Sequence, residues 1–195
     1  MRCTYCYNPD IVLGKGRMSV AKALEFLKSR RGLLQGVVLS GGECTLHPAI
    51  FPLLEAAKEY GFGVKVDTNG SRPNVLKALI AQQLVDYIAL DFKALEQRYQ
   101  AITKSGLFPQ FAESLALLNH SNVPFEVRTT VHSELITHSD LRAMVGFLQQ
   151  QGYKGTYYIQ HYVNGVPTLG ILGRSLRDEN PTALSEGNIQ VVERC

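Results

Sequence analysis

Cys3 and Cys6 stand with two residues between them, Tyr5 immediately before the second thiol. Thiols at this spacing can share an iron–sulfur or zinc centre, or cycle as a redox pair. A redox pair normally follows a strand and opens a helix, and no strand precedes Cys3. Two incidental thiols at a chain terminus are the plain alternative. Gly41-Gly42-Glu43 combines glycines, which let a backbone approach a ligand closely, with a carboxylate able to pair an ammonium. It also reads as an ordinary glycine-rich turn. Asp91 and Lys93, two apart at a strand end, point to the same side, either at a ligand or as an ion pair. Arg128 lies inside an apolar run, where burial is costly without a partner. That partner is an anionic ligand or a carboxylate such as Asp91 or Glu43. Asp67-Thr68-Asn69-Gly70 has turn composition, and His161 ends the fifth apolar run. Cys44 and Cys195 belong to no motif and read as free thiols.

These residues need a scaffold, and the sequence supplies one. Apolar runs at 36–40, 63–67, 87–91, 125–130 and 156–160 read as strands, each separated from the next by room for one helix. They are nearly continuous in Val, Ile, Leu and aromatics, the pattern of parallel strands buried on both faces. Amphipathic helices carry Val20, Ala23, Leu24 and Leu27 after Ser19, and Ile50, Leu53, Leu54 and Ala57 after Pro48. A third carries Leu141, Met144, Val145 and Leu148 after Ser139. Gly32, Gly61 and Gly152 mark the stops. Weaker helices are expected over 74–83 and 109–119. The partition is a βα core over 1–162 and a tail over 163–195 that covers it, with one terminal strand at 189–193. The candidate polar residues fall at the C-terminal ends of five successive strands, where parallel α/β barrels build their sites.

Composition sets the outer limits. The 195 residues suit one α/β domain and fall short of the ~250 of a full eight-stranded barrel. Apolar residues at 45% and charged residues at 19% are ordinary globular values. A net charge of +3 gives no support for a nucleic-acid groove. No run is long enough for a transmembrane helix, and no signal-peptide pattern opens the chain. Four cysteines are too few for a disulfide framework, so a cytoplasmic location with reduced thiols is expected.

Cys-Thr-Tyr-Cys-Tyr-Asn-Pro, Leu-Ser-Gly-Gly-Glu, Val-Asp-Thr-Asn-Gly-Ser, Leu-Val-Asp-Tyr-Ile-Ala-Leu-Asp-Phe-Lys-Ala and Gln-His-Tyr follow one another from Cys3 to Tyr162. In that order and spacing the chain resembles radical S-adenosylmethionine (SAM) enzymes of the activating type. It is most similar in pattern to activating proteins of anaerobic ribonucleoside-triphosphate reductase, and more distantly to pyruvate formate-lyase activating enzyme. The resemblance implies a partial (β/α) barrel of parallel strands, lacking its first strand, with an open edge able to pair in an oligomer.

It further implies a 4Fe–4S cluster held by three cysteines, with SAM on the open iron. Cys3 and Cys6 match the second and third ligands, and the first would lie four residues before Cys3, beyond Met1. On this chain alone the cluster is then expected to assemble poorly. Gly41, Gly42 and Glu43 match the motif that receives the SAM amino group. Asp91 matches a ribose or amino contact, while Lys93 and Arg128 match contacts to the SAM carboxylate. Asp67, Thr68, Asn69 and His161 match further parts of the SAM pocket, Asp67 also a monovalent-cation site of some activating enzymes. The implied activity is reductive cleavage of SAM and formation of a glycyl radical on a partner enzyme, with flavodoxin or ferredoxin as reductant. Such chemistry requires no acid–base pair or nucleophilic triad. A radical SAM enzyme acting on a small molecule or nucleoside, and a SAM-binding domain without radical chemistry, are the alternatives.

Overall fold

A computed structural model describes residues 1–14, 16, 18–176 and 181–194, so Cys195 lies outside the described residues. Strands β1 (Gly36–Leu39), β2 (Gly63–Thr68), β3 (Tyr87–Asp91), β4 (Phe125–Val131), β5 (Gly155–His161) and β6 (Ile189–Arg194) form one sheet. They lie in sequence order, and every neighbouring pair is parallel. Right-handed crossovers between strands in sequential order put every connecting helix on the same face, giving a barrel wall and not a doubly wound sheet. The terminal strand expected at 189–193 forms as β6 and pairs with β5 along its length, so the tail adds a sixth strand to the five of the βα core.

The helices are α1 (Pro9–Leu13), α2 (Val20–Ser29), α3 (Ile50–Glu59), α4 (Pro73–Ala81), α5 (Glu96–Thr103), α6 (Phe108–Asn119) and α7 (His138–Gln150). Ser19 caps α2 by accepting from the Lys22 N–H at 3.3 Å. The expected start of α7 after Ser139 moves back to Thr137, which forms a reciprocal capping box with Asp140. Helix α5 gave no apolar periodicity because only Tyr99, Ile102 and Thr103 are buried on it. Among the described residues, no helix is long and apolar enough to cross a membrane.

The expectation of strands buried on both faces is corrected. One parity of side chains, including Val64, Val66, Ile88, Leu90, Val127, Tyr157 and Ile159, is sealed against the helices. The other parity carries Lys65, Asp67, Tyr87, Asp91, Glu126, Arg128, Tyr158, Gln160 and Arg194 across the concave face. Glu126 shows how that polar face holds together. Its carboxylate accepts from both terminal nitrogens of Arg194 at 3.0 and 3.2 Å, from Tyr87 Oη at 3.1 Å, and from Lys65 Nζ at 3.4 Å. Contacts spanning β2 to β6 stand where an apolar plug would fill a closed barrel. The concave side is therefore built as a polar site wall.

Candidate active site

Phe92 is the anchor from which the site is built. It is fully buried, stacks on Phe111 with centroids 4.7 Å apart, and leaves its neighbours Asp91 and Lys93 on the opposite side of the chain. Its N–H donates to Arg128 O at 2.8 Å, and its carbonyl accepts from Thr129 Oγ1 at 2.6 Å. The end of β3 is thereby locked to β4 at the height of the charged groups.

Those groups form one chain of pairs. Lys93 Nζ lies 3.0 Å from Asp91 Oδ2, Arg128 Nε donates to Asp91 Oδ1, and Arg128 Nη2 lies 3.3 Å from Asp67 Oδ2. Arg128 thus takes Asp91 and Asp67 as partners, and Glu43 is not among them. Burial opposes ionisation of Asp91, but Lys93 and then Arg128 overcome it and hold the carboxyl below its usual range. Burial likewise works against the Lys93 ammonium; Asp91, Tyr5 and Cys3 outweigh it and raise its pKa. Among the described residues, Asp67 Oδ1 is buried without a hydrogen bond, the Lys65 ammonium standing 3.8 Å away.

Cys3 and Cys6 face the same space. The Cys6 N–H donates to Cys3 O at 3.0 Å, closing a tight turn. The Arg2 and Thr4 N–H groups bond the Thr103 and Ile102 carbonyls at the end of α5. Cys3 is buried and Cys6 half-buried. Burial raises the Cys3 thiol pKa, with Lys93 pulling the other way. Between them Tyr5 is only 4% exposed, and Lys93 Nζ sits 5.9 Å from its ring centroid.

A cavity of about 250 Å³ joins these parts. Cys3, Cys6 and Tyr5 form one wall, Asp91, Lys93 and Arg128 the opposite one, and Gly41, Gly42 and Asn69 the rim above β1 and β2. Gly41 has φ +129°, a backbone conformation that favours glycine. Thr68, Glu43, Asp67 and His161 do not line it. Glu43 turns into the turn after β2 instead. Its Oε1 accepts from Thr45 N–H, Thr45 Oγ1 and Thr68 Oγ1 at 3.2, 2.6 and 2.8 Å, and its Oε2 from Asn69 N–H at 2.7 Å. His161 has Nε2 3.5 Å from Glu193 Oε2, while its neighbour Gln160 reaches the cavity. Strand parity separates the two: Gln160 is in register with Thr130, which also lines the cavity. Met1, Tyr7, Asn8, Val12 and Ser40 also line it and were not nominated from sequence. Val12 packs over Gly42, 3.6 Å from where a Cβ would stand. Cys44 is apart from this space, its Sγ donating to Asp67 O at 3.3 Å.

The donor set fits the implied cofactors: two soft thiol ligands on one wall, with a paired, ionised carboxylate and two cations facing them across a cavity. Among the described residues, no group of three or more His, Cys, Asp or Glu side chains gathers for a metal ion, so the described chain offers the Cys3–Cys6 pair.

Comparison with known proteins agrees with this geometry. The chain is 33% identical over 151 residues to a protein provisionally named a glycyl-radical enzyme activating enzyme from Methanocaldococcus jannaschii, covering 72% of this chain and 61% of that one. It is 34% identical over 122 residues to 7-carboxy-7-deazaguanine synthase of Haemophilus influenzae, covering 63% of this chain and 51% of that one. All of this chain superposes on 47% of the crystal structure of Streptococcus suis SuiB bound to S-adenosylmethionine, with a TM-score of 0.75 at 13% identity. The chain thus spans about half to three fifths of the length of these proteins. The sequence profile of the Radical SAM superfamily matches residues 1–147, and the chain belongs to that superfamily, whose cofactors are a 4Fe–4S cluster and S-adenosylmethionine.

Proposed function

We propose that this chain is the catalytic barrel of a radical SAM activating enzyme that generates a glycyl radical on a partner enzyme, an anaerobic ribonucleotide reductase. The observation that carries the reading is the shared cavity in which the Cys3–Cys6 turn faces the Asp91–Lys93–Arg128 chain of charges. The identity to a glycyl-radical enzyme activating enzyme supports the activating role. Cytoplasmic location, an anaerobic setting and a flavodoxin or ferredoxin reductant go with it.

When bound, the cluster and SAM supply reductive cleavage of the sulfonium and abstraction of a hydrogen atom. The remaining work falls to the protein. Gly41 and Gly42 let the backbone approach the amino acid end of SAM. Lys93 and Arg128 present donors to its carboxylate, and Asp91 an acceptor to its ribose or ammonium. Asn69 closes the rim. Glu43, with Thr68, holds the turn that carries Asn69 and so shapes the amino group's pocket. Asp67 holds Arg128 from behind, and His161 supports β5 from the far side of Gln160. Cys3 and Cys6 furnish thiolates, and the resemblance puts a third four residues before Cys3.

The test is anaerobic loading with iron and sulfide, followed by dithionite and SAM. Cluster absorbance and release of 5′-deoxyadenosine are expected once the third thiolate is supplied, and the genomic codons preceding Met1 show whether they encode it. A protein carrying all three cysteines that yields neither signal would overturn the reading. The identity to 7-carboxy-7-deazaguanine synthase favours a second reading, radical chemistry on a small molecule. Transfer of deuterium from a deuterated glycine in the partner reductase into 5′-deoxyadenosine separates the two.

A further inference from the structure

Fourteen residues beyond the sheet's fifth strand contribute nothing to the sheet, yet the chain builds them against the cysteine turn. The segment 163–176 leaves β5, crosses to residues 4–6, and returns to the loop after β4. At its middle, the Leu169 N–H donates to Cys6 O at 3.0 Å and the Gly170 N–H donates to Thr4 O at 2.9 Å. Both carbonyls belong to the turn that presents Cys3 and Cys6. The approach is so close that a Cβ on Gly170 would fall 2.2 Å from Thr4 Cγ2 and 3.1 Å from Thr4 O.

The far end is fixed with equal care. Fully buried His132 accepts the Glu134 N–H on Nδ1 at 3.2 Å, which leaves Nε2 protonated to donate to Gly173 O at 3.1 Å. A Cβ on Gly173 would meet Glu134 Oε1 at 2.2 Å. The Ser133 N–H donates to Ser175 Oγ at 3.1 Å, and Ser133 Oγ accepts the Leu176 N–H at 3.0 Å. Asn164 closes the loop on itself, accepting the Ser175 N–H at 2.8 Å and donating to Ser175 O at 3.0 Å. Inside it, Thr168 Oγ1 donates to Gly170 O at 2.7 Å.

We propose that segment 163–176 is a clamp on the cysteine turn, with Asn164 and Gly170 as positioning residues that set the spacing and solvent access of the Cys3 and Cys6 sulfurs. Among the described residues, the turn's backbone is held on one side by the last carbonyls of α5 and on the other by this segment. Pairs of thiol ligands bind a shared centre well only when their separation is fixed beforehand, because a preorganised site has less chain to order on binding. The clamp supplies that order from a part of the chain remote in sequence. The importance of holding the turn rests on reading Cys3 and Cys6 as ligands; the mechanical coupling does not.

The experiment reads the coupling directly, without cluster. Anaerobic, reduced protein is alkylated with iodoacetamide, and the rates at Cys3, Cys6 and Cys44 are followed by mass spectrometry beside amide exchange. Gly170→Ala removes the close approach, and Asn164→Ala opens the exposed loop closure without touching the turn or the core. Each is expected to raise the Cys3 rate about tenfold, the scale of losing one or two net hydrogen bonds, and to speed exchange at Leu169 and Gly170. Cys44, held at β2, is to keep its wild-type rate. If Cys3 and Cys6 react at wild-type rates in Asn164→Ala while Leu169 and Gly170 exchange freely, the segment does not control the turn and the proposal fails. It also fails if Cys44 accelerates in parallel, since that is general loosening. A clamp that passes while no cluster forms leaves the coupling intact and counts only against the function proposed above.

Discussion

Arg128 donates from Nε to Asp91, its register partner across the β3–β4 pair. Cross-strand neighbours on one face of a sheet meet without distortion, so the pairing follows from register. Asp67 on the far side of the guanidinium and Lys93 on the other oxygen of Asp91 extend it to two carboxylates and two cations. The group is balanced before any ligand arrives. A zwitterion such as SAM must therefore exchange partners with these side chains, its carboxylate competing with Asp91 for Lys93 and Arg128.

Removing the shared cation is the severe change. Arg128→Met keeps length and apolar volume but leaves Asp91 and Asp67 facing each other in a buried setting. Loss of one partner from a buried pair costs about 3 kcal/mol, and urea denaturation at neutral pH is expected to show a fall of that size. SAM affinity, measured by equilibrium dialysis, should fall with it. Arg128→Lys is expected to recover part of the stability and little of the affinity, because a single ammonium cannot span both carboxylates.

The same pairing fixes the response to acid. The folded-state pKa of Asp91 is held below its unfolded value, since Lys93 and Arg128 outweigh the burial that opposes ionisation. A depressed carboxylate contributes stability that is present above the unfolded pKa, about 3.9, and is lost as pH falls through the folded one. Glu126, whose burial is outweighed by Arg194 and Lys65, acts in the same direction. Stability is expected to be flat near neutrality and to decline below about pH 5. Asp91→Asn should lower the plateau and flatten that acid limb; an unchanged limb would show that Asp91 is not depressed.

Much of this site was legible because it lies at strand ends. Asp91, Lys93 and Arg128 could be read from their position alone, and β3 was bounded correctly at residues 87–91. What escaped depends on contacts between segments distant in sequence. The sixth strand was expected at 189–193 and forms at Ile189–Arg194, but its place beside β5 was not legible, because that pairing is a tertiary event. Helix α5 carries too few buried residues to repeat at helical spacing. Gln160 and His161 are adjacent, so sequence could not say which faces the cavity until register with Thr130 fixed the parity. The polar concave face was missed for a related reason: Val66, Leu90 and Val127 make the runs look apolar while alternate positions carry charge.

Glu43 shows how one carboxylate supports a site from outside the cavity. It accepts four hydrogen bonds from Thr45, Thr68 and Asn69, so it ties the loop after β1 to the loop after β2. Glu43→Ala leaves those donors without acceptors and is expected to cost about 2 kcal/mol, with loss of SAM binding as Asn69 moves. Glu43→Gln keeps one acceptor oxygen and should retain most of the fold. If Glu43→Gln binds SAM as tightly as the native protein, the carboxylate's charge has no part in holding the ligand, and its role is confined to the loop.

Cys44 gives the sharpest contrast with the two thiols proposed as ligands. Burial, followed by the neighbouring Glu43, pushes its pKa up to about 12 from an ordinary 9.0, and its hydrogen goes to Asp67 O. At pH 8 the thiolate fraction falls about a thousandfold relative to an ordinary thiol, and the greater nucleophilicity of a more basic thiolate restores only about twentyfold. Alkylation of Cys44 in the folded protein should therefore run roughly fiftyfold slower than in the urea-unfolded chain, before any limit on access is counted. It follows that Cys44→Ala leaves iron uptake unchanged, whereas Cys3→Ala and Cys6→Ala each abolish it. Iron uptake that fell in Cys44→Ala as far as in Cys6→Ala would make Cys44 a ligand, and the turn after β1 would have to rearrange to bring it to the cavity.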